Sequence, residues 1–136
     1  MISDELLNAY IETNYFINYI EMPLKINKYS DFLNKIYNKY SVNSCAYITA
    51  YNPYSKQVDE YENIKNNQSL KLLLERNNYK YMEGFGCHPS NEWEKENSFL
   101  IIGIDYNNAC VIGKKYNQNA ILYCNKECVP NLILLI

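Results

Sequence analysis

Ser98-Phe99-Leu100-Ile101-Ile102-Gly103-Ile104 is the longest uncharged apolar stretch of the chain outside its C-terminal tail. It is too short to cross a membrane and has the length of a strand buried on both faces. Trp93, Glu94 and Glu96 lead into it, and Asp105, Asn107 and Asn108 close it. The pattern predicts a central strand against which the other elements pack.

The remaining elements follow in order. Ser3 caps a predicted helix over 3–13, with Leu6, Leu7, Tyr10 and Ile11 on one stripe. Tyr15 to Ile20 is aromatic and β-branched, and Met22, Leu24 and Ile26 alternate after Pro23, so a hairpin is expected there. Ser30 caps a second helix carrying Phe32, Leu33, Ile36, Tyr37 and Tyr40 at helical spacing. From Cys45 to Tyr51 the strand alternates by size: Ala46, Ile48 and Ala50 face one way, Tyr47, Thr49 and Tyr51 the other. Asn52 precedes Pro53 and is expected to be extended.

Leu70, Leu73 and Leu74 define the buried side of a helix over 60–76, and Asn63 and Asn67 lie seven residues before Leu70 and Leu74, so two amides turn inward. A strand over 79–85, a turn through Gly86 to Ser90 and the central strand come next. Asn107 or Asn108 then caps a short helix in which Gly113 costs up to about 1 kcal/mol relative to alanine. Residues 119–124 form a further strand, and Pro130 opens a last apolar segment.

From about Cys45 to Cys124 the order is β-α-β-β-α-β, that of the split, ferredoxin-like motif. The expected fold is α+β: this core over about 45–124, with an N-terminal helix–hairpin–helix extension and a C-terminal apolar strand. Its two middle strands, those of Cys45 and Ser98, are taken as parallel. The length of 136 residues fits a single domain, 1–136, able to bury a sizeable core.

Composition narrows the function classes. A net charge of −2, with Arg76 the only arginine, leaves no basic field for nucleic acid. No apolar run reaches membrane length, and the acidic start Ser3-Asp4-Glu5 has no signal-peptide pattern. Cys45, Cys87, Cys110, Cys124 and Cys128 show no CxxC spacing and read as reduced thiols, which points to the cytoplasm. The fifteen tyrosines, with abundant Asn, Ile and Lys, match AT-rich coding and carry no functional weight.

The chemistry-bearing set is Thr49, Asn52, Asn63, Glu96, Ser98, Gln118 and Asn119. Asn52 leaves the first core strand at its carboxyl end, where ligands often sit, and Asn63 faces inward beside it. Glu96 and Ser98 share one face of the central strand. With parallel middle strands, Glu96 and Ser98 would lie at the other end of the sheet, giving two clusters. The plain alternative is that these amides satisfy loop backbone. A carboxylate with amides and hydroxyls suits a nucleoside, a sugar or an amino group, and a buried Glu96 could act as a general base.

A zinc site from Cys87, His88, Cys124 and Cys128 has suitable ligand types but the wrong spacing, so no metal and no cofactor are expected. Adjacent Cys87 and His88 diverge in an extended chain and make a poor nucleophilic dyad. Gly113-Lys114-Lys115 lacks the upstream glycine of a phosphate loop. The tail Leu132-Ile133-Leu134-Leu135-Ile136 reads as an edge strand or core plug, with strand addition to a partner as the alternative. Trp93 reads as a core anchor.

Several stretches together resemble a bacterial family, the domain of unknown function 3293. They are Ala9-Tyr10 with Thr13 and Tyr15; Ala46-Tyr47-Ile48-Thr49-Ala50-Tyr51-Asn52-Pro53; Glu62-Asn63; Trp93 with Glu96, Ser98 and Phe99; Gly103; Gln118-Asn119-Ala120; and Val129-Pro130. The chain departs from the family's usual pattern around Cys87 and His88 and at Tyr116-Asn117. The resemblance implies a single cytoplasmic domain and supplies no reaction.

The expectation is a small cytoplasmic protein that binds a polar small molecule, nucleotide-like ligands among them, through the Asn/Glu/Gln cluster. The alternatives are a non-catalytic protein-interaction module, such as an inhibitor, immunity or antitoxin-like partner using Tyr54 and Tyr61, and a Glu96-dependent hydrolase or transferase. Whether it is an enzyme stays open at this level.

Overall fold

The computed structural model describes residues 2–136. Its elements are α1 (Asp4–Glu12), β1 (Asn14–Ile17), α2 (Asp31–Tyr40), β2 (Cys45–Thr49), a single 3-10 turn (Pro53–Ser55), α3 (Glu60–Arg76), β3 (Lys80–Cys87), β4 (Glu96–Ile102), α4 (Tyr106–Lys115), β5 (Ala120–Cys124) and β6 (Pro130–Leu134). Four helices and a six-stranded sheet make a mixed α+β protein. Each helix opens on a short polar cap: Ser3, Ser30, Asp59 and Asp105 accept the backbone N–H three residues on. Asp105 takes the capping role expected of Asn107 or Asn108, because its carboxylate accepts from Asn108 N–H at 2.7 Å.

The strands run in the order β1-β3-β4-β2-β5-β6, and each neighbouring pair is antiparallel. β4 sits between β3 and β2, and residues 98–102 are buried, as an apolar run in mid-sheet requires. The expected parallel pairing of the two middle strands is wrong. The α3 crossover returns the chain so that β3 runs with β2, and the reversal at 88–95 then turns β4 against both. Thr49 therefore lies opposite Ser98, and Cys45 opposite Ile102.

The size alternation of β2 divides the core. Ala46, Ile48 and Ala50 face α3 and α4, packing with Leu70, Leu74, Ala109 and Ile112. The alanines let the helices approach the sheet closely. Cys45 and Tyr47 face the other way, with Leu33 and Tyr37 of α2. Gly113 is explained by the same crowding: a Cβ there would come within 2.5 Å of Leu135 Cδ1 and 2.7 Å of Ile121 Cγ2. The helix forgoes some propensity to sit this close to β5.

The expected hairpin over 15–26 is not formed as two strands. Pro23 lacks an N–H to donate, and only a bridge between Tyr15 and Leu24 remains. β1 pairs instead with β3, Tyr15 opposite Gly86 and Ile17 opposite Gly84. The C-terminal segment forms the edge strand β6 against β5. No helix among the described residues is long and apolar enough to cross a membrane.

Candidate functional site

The antiparallel register brings the end of β2 beside the start of β4, on the sheet face shared with α2. There, across three strands, Tyr15, Gly86 and Glu96 stand in one row. Gly86 has no side chain to fill the row, so space remains between the tyrosine ring and the carboxylate. α1 roofs this space with Leu6, Ala9 and Tyr10, continued by its C-cap Thr13, and no residue of α1 is itself buried. The result is a cavity of about 230 Å³ between α1 and the sheet.

Of the seven residues singled out from sequence, Thr49, Asn52, Glu96, Ser98, Gln118 and Asn119 line this cavity. The choice between one cluster and two, open from the sequence, falls to one, because the antiparallel register sets Ser98 opposite Thr49. Asn63 stands behind the wall and holds it in place. It is 2% exposed, its Oδ1 accepts Asn52 N–H at 2.8 Å, and its Nδ2 donates to Asn52 Oδ1 at 3.0 Å. Asn67, one helical turn on, accepts Ala50 N–H at 3.1 Å. These two amides complete the hydrogen bonding of a chain that has just left the sheet.

Asn52 is not extended. It adopts φ 46° and ψ 68°, and Tyr54 and Ser55 also have positive φ. Three left-handed residues in four, none a glycine, cost roughly 1 kcal/mol or more each. Asparagine tolerates this region, and here its side chain bonds outward three times. Its Oδ1 accepts from Val58 N–H and Asn63 Nδ2, and its Nδ2 donates to Glu96 Oε2 at 2.8 Å. The corner sets one amide against one carboxylate.

Glu96 Oε1 has no hydrogen-bond partner among the described residues, and no described cation pairs with the carboxylate. Burial pushes the Glu96 carboxyl above its ordinary value of 4.5, opposed by the Asn52 hydrogen bond. The folded protein thus holds the Glu96 proton more tightly than the unfolded chain does. Its contribution to stability is complete below 4.5 and is lost as pH rises through the raised value. Glu96→Gln keeps an oxygen for Asn52 and carries no charge. The variant is expected to melt a few degrees above the parent at pH 8, with the gain vanishing below about pH 4.5; thermal melts across that range check this.

The hydroxyls around Glu96 have their hydrogens committed elsewhere. Tyr15 donates to Tyr10 O at 2.6 Å, Tyr47 to Phe16 O at 2.7 Å, Thr49 to Asn97 O at 2.6 Å and Ser98 to Glu96 O at 2.9 Å. Burial raises the phenols of Tyr15 and Tyr47 well above the ordinary range, so both stay protonated. Gln118 spends its amide nitrogen on Tyr51 O and Tyr116 O, and Asn119 spends its own on Tyr10 and Ser55.

The sequence-based set lacks the aromatic half of the wall. Tyr10, Tyr15, Tyr47 and Trp93 also line the cavity. Trp93 is 44% exposed, so it is no core anchor. Tyr10, Tyr15, Tyr47 and Trp93 all fall in the stretches that carry the family resemblance, and that coincidence was the available signal. His88 lines the rim, 3.1 Å from Glu12 and 2.7 Å from Ser90. Cys124 and Cys128 belong to the core, away from Cys87 and His88, and the described residues contain no cluster of ligands for a metal.

The sequence model of the family described as "Protein of unknown function (DUF3293)" matches residues 48–121. The chain belongs to this family. The matched span holds all seven of Thr49, Asn52, Asn63, Glu96, Ser98, Gln118 and Asn119, whereas the α1 roof lies outside it. Neither the curated proteins nor the solved structures compared with the chain give a match.

Proposed function

We propose that this member of the family binds a polar small molecule in the cavity beneath α1. The observation that carries the reading is Glu96, set in a cavity of about 230 Å³ with one carboxylate oxygen unpartnered among the described residues and the other held by Asn52. The free oxygen is accessible from the cavity rather than sealed in the core, so it is open to a guest. The left-handed corner at 52–55 adds support, since backbone strain concentrates where it positions a functional group. An engineered cavity of about 150 Å³ accepts benzene, so the space here suits a ligand of one ring or of amino-acid size. Glu92, Glu94 and Glu96 line it and no lysine or arginine does, which favours neutral or cationic ligands over phosphate-bearing nucleotides.

The strand order β3-β4-β2-β5 within the sheet supports reading residues 45–124 as a ferredoxin-like core. A cytoplasmic setting belongs to the same proposal and is supported by five free thiols.

Native mass spectrometry with a thermal-shift panel of nucleosides, sugars and amino acids tests the binding reading. A ligand at one hundred times its Kd adds about 2.7 kcal/mol, or roughly 10 °C in Tm for a chain of this size. A shift that disappears in Glu96→Gln supports the reading. A panel without any shift, on a folded monomer, overturns it. The second reading, a protein-interaction module, draws on Tyr61, Ile64 and Leu72, which leave apolar area exposed on α3.

A further inference from the structure

We infer that the cavity takes a small primary or secondary amine as its ammonium ion, with Glu96 Oε1 as the counter-charge and the rings of Tyr15 and Trp93 as its apolar walls. The inference rests on the binding reading above and adds the chemical class of ligand.

Three observations converge on it. The first is the direction of hydrogen bonding. The hydrogens of Tyr15, Tyr47, Thr49 and Ser98 all point into backbone carbonyls. Both amide hydrogens of Gln118 point at the carbonyls of Tyr51 and Tyr116. Two carbonyl contacts on one nitrogen also fix which end of that amide is which. What these groups have left to offer a guest is lone pairs. This part of the wall suits a donor-rich guest, and an ammonium ion carries up to three donors and no acceptor; the hydrogens left over in the wall belong to the Tyr10–Ser55 hydroxyl pair and the Trp93 indole.

The second is charge. Glu96 is set among apolar and hydroxyl groups with no described cation beside it. The carboxylate is half-buried and its free oxygen stays accessible, so a guest's cationic head can reach it and pair with it where burial weakens solvation. Glu92 and Glu94 on the same rim extend the negative field toward solvent.

The third is geometry. Asn52 Nδ2 already occupies Glu96 Oε2 at 2.8 Å. A guanidinium fork uses both carboxylate oxygens in parallel. One open oxygen suits a point-like ammonium better. Tyr15 and Trp93 line the same cavity, and an aromatic face that a cation reaches attracts it further, while a volume of about 230 Å³ leaves room for a ring or short chain bearing the amine.

Benzylamine, benzyl alcohol and benzoate share one skeleton and differ only in the head group. Titrating each at pH 7.5 into the full chain, followed by the backbone amide signals of Gly86, Glu96 and Ser98, separates the head groups. Benzylamine is expected to bind about tenfold or more tightly than benzyl alcohol, with benzoate weakest. Glu96→Gln removes the preference, Glu96→Asp keeps part of it, and Trp93→Ala weakens benzylamine severalfold without affecting the fold. Equal or tighter binding of the alcohol or benzoate by the parent protein overturns the amine class and leaves the cavity reading standing. An amine preference that survives Glu96→Gln in a folded variant also overturns it. If no head group moves those signals at millimolar concentration, the amine inference is overturned, and the panel of the preceding section decides separately whether the cavity binds anything.

Discussion

Gly84→Ala is expected to lower the unfolding free energy by about 3–5 kcal/mol, near the top of the range for one substitution. A Cβ at this position would overlap the carbonyl oxygen of Phe16 and come within 3.0 Å of Ile17 Cα. Both are backbone atoms, so no rotamer change relieves the collision. β1 must move off β3. Ile17, 1% exposed, would lose its burial, and Tyr47 would lose the Phe16 carbonyl that takes its hydroxyl hydrogen at 2.7 Å. α1 precedes β1 directly and roofs the cavity, so the damage reaches the site. Urea unfolding measures the effect. The midpoint is expected to fall, and the slope to fall with it, because a native state with β1 detached has less surface left to expose. A variant within 0.5 kcal/mol of the parent would show that β1 is not packed on β3 as closely as this.

Much of the architecture was legible because its signals are local. The extent of α3 and its inward amides follow from Leu70 and Leu74 at helical spacing. The two-sided core follows from alanines alternating with larger side chains in β2. The relation between strands was harder to read. Whether β4 runs with or against β2 depends on counting reversals along the chain, and no residue type records it. That one direction decides whether Glu96 meets Asn52 or lies at the far end of the sheet. The conformation of Asn52 was hidden for a similar reason. Pro53 argues for an extended residue, and three side-chain bonds from Asn63, Val58 and Glu96 outweigh that preference. The roof was missed because α1 is remote in sequence from everything it covers.

Asn63→Ala is expected to cost about 2–3 kcal/mol and to weaken ligand binding without touching the cavity. Alanine suits a helix better than asparagine by roughly half a kcal/mol, so the intrinsic change favours the variant. Against it stand two lost hydrogen bonds. Asn52 N–H, which donates to Asn63 Oδ1 at 2.8 Å, is left without a partner where Asn63 was 2% exposed. An orphaned buried donor costs about 1–3 kcal/mol, and Asn52 Oδ1 keeps only the Val58 N–H. With those restraints gone, the left-handed corner relaxes toward the extended form that Pro53 prefers. Asn52 Nδ2 then swings away from Glu96 Oε2. Asn67→Ala removes one bond, to Ala50, and is the milder control on the same helix face. The decisive measurement is a double-mutant cycle in Asn52 and Asn63 to alanine. The cycle reads the bond between the two side chains, Asn63 Nδ2 to Asn52 Oδ1, with a coupling of about 0.5–1.5 kcal/mol expected, because the backbone bond from Asn52 N–H to Asn63 Oδ1 survives in Asn52→Ala and is lost only with Asn63. Additive losses would mean that Asn63 holds the corner through the Asn52 backbone alone. The aim of Asn52 at Glu96 would then have to come from Val58 and the turn alone.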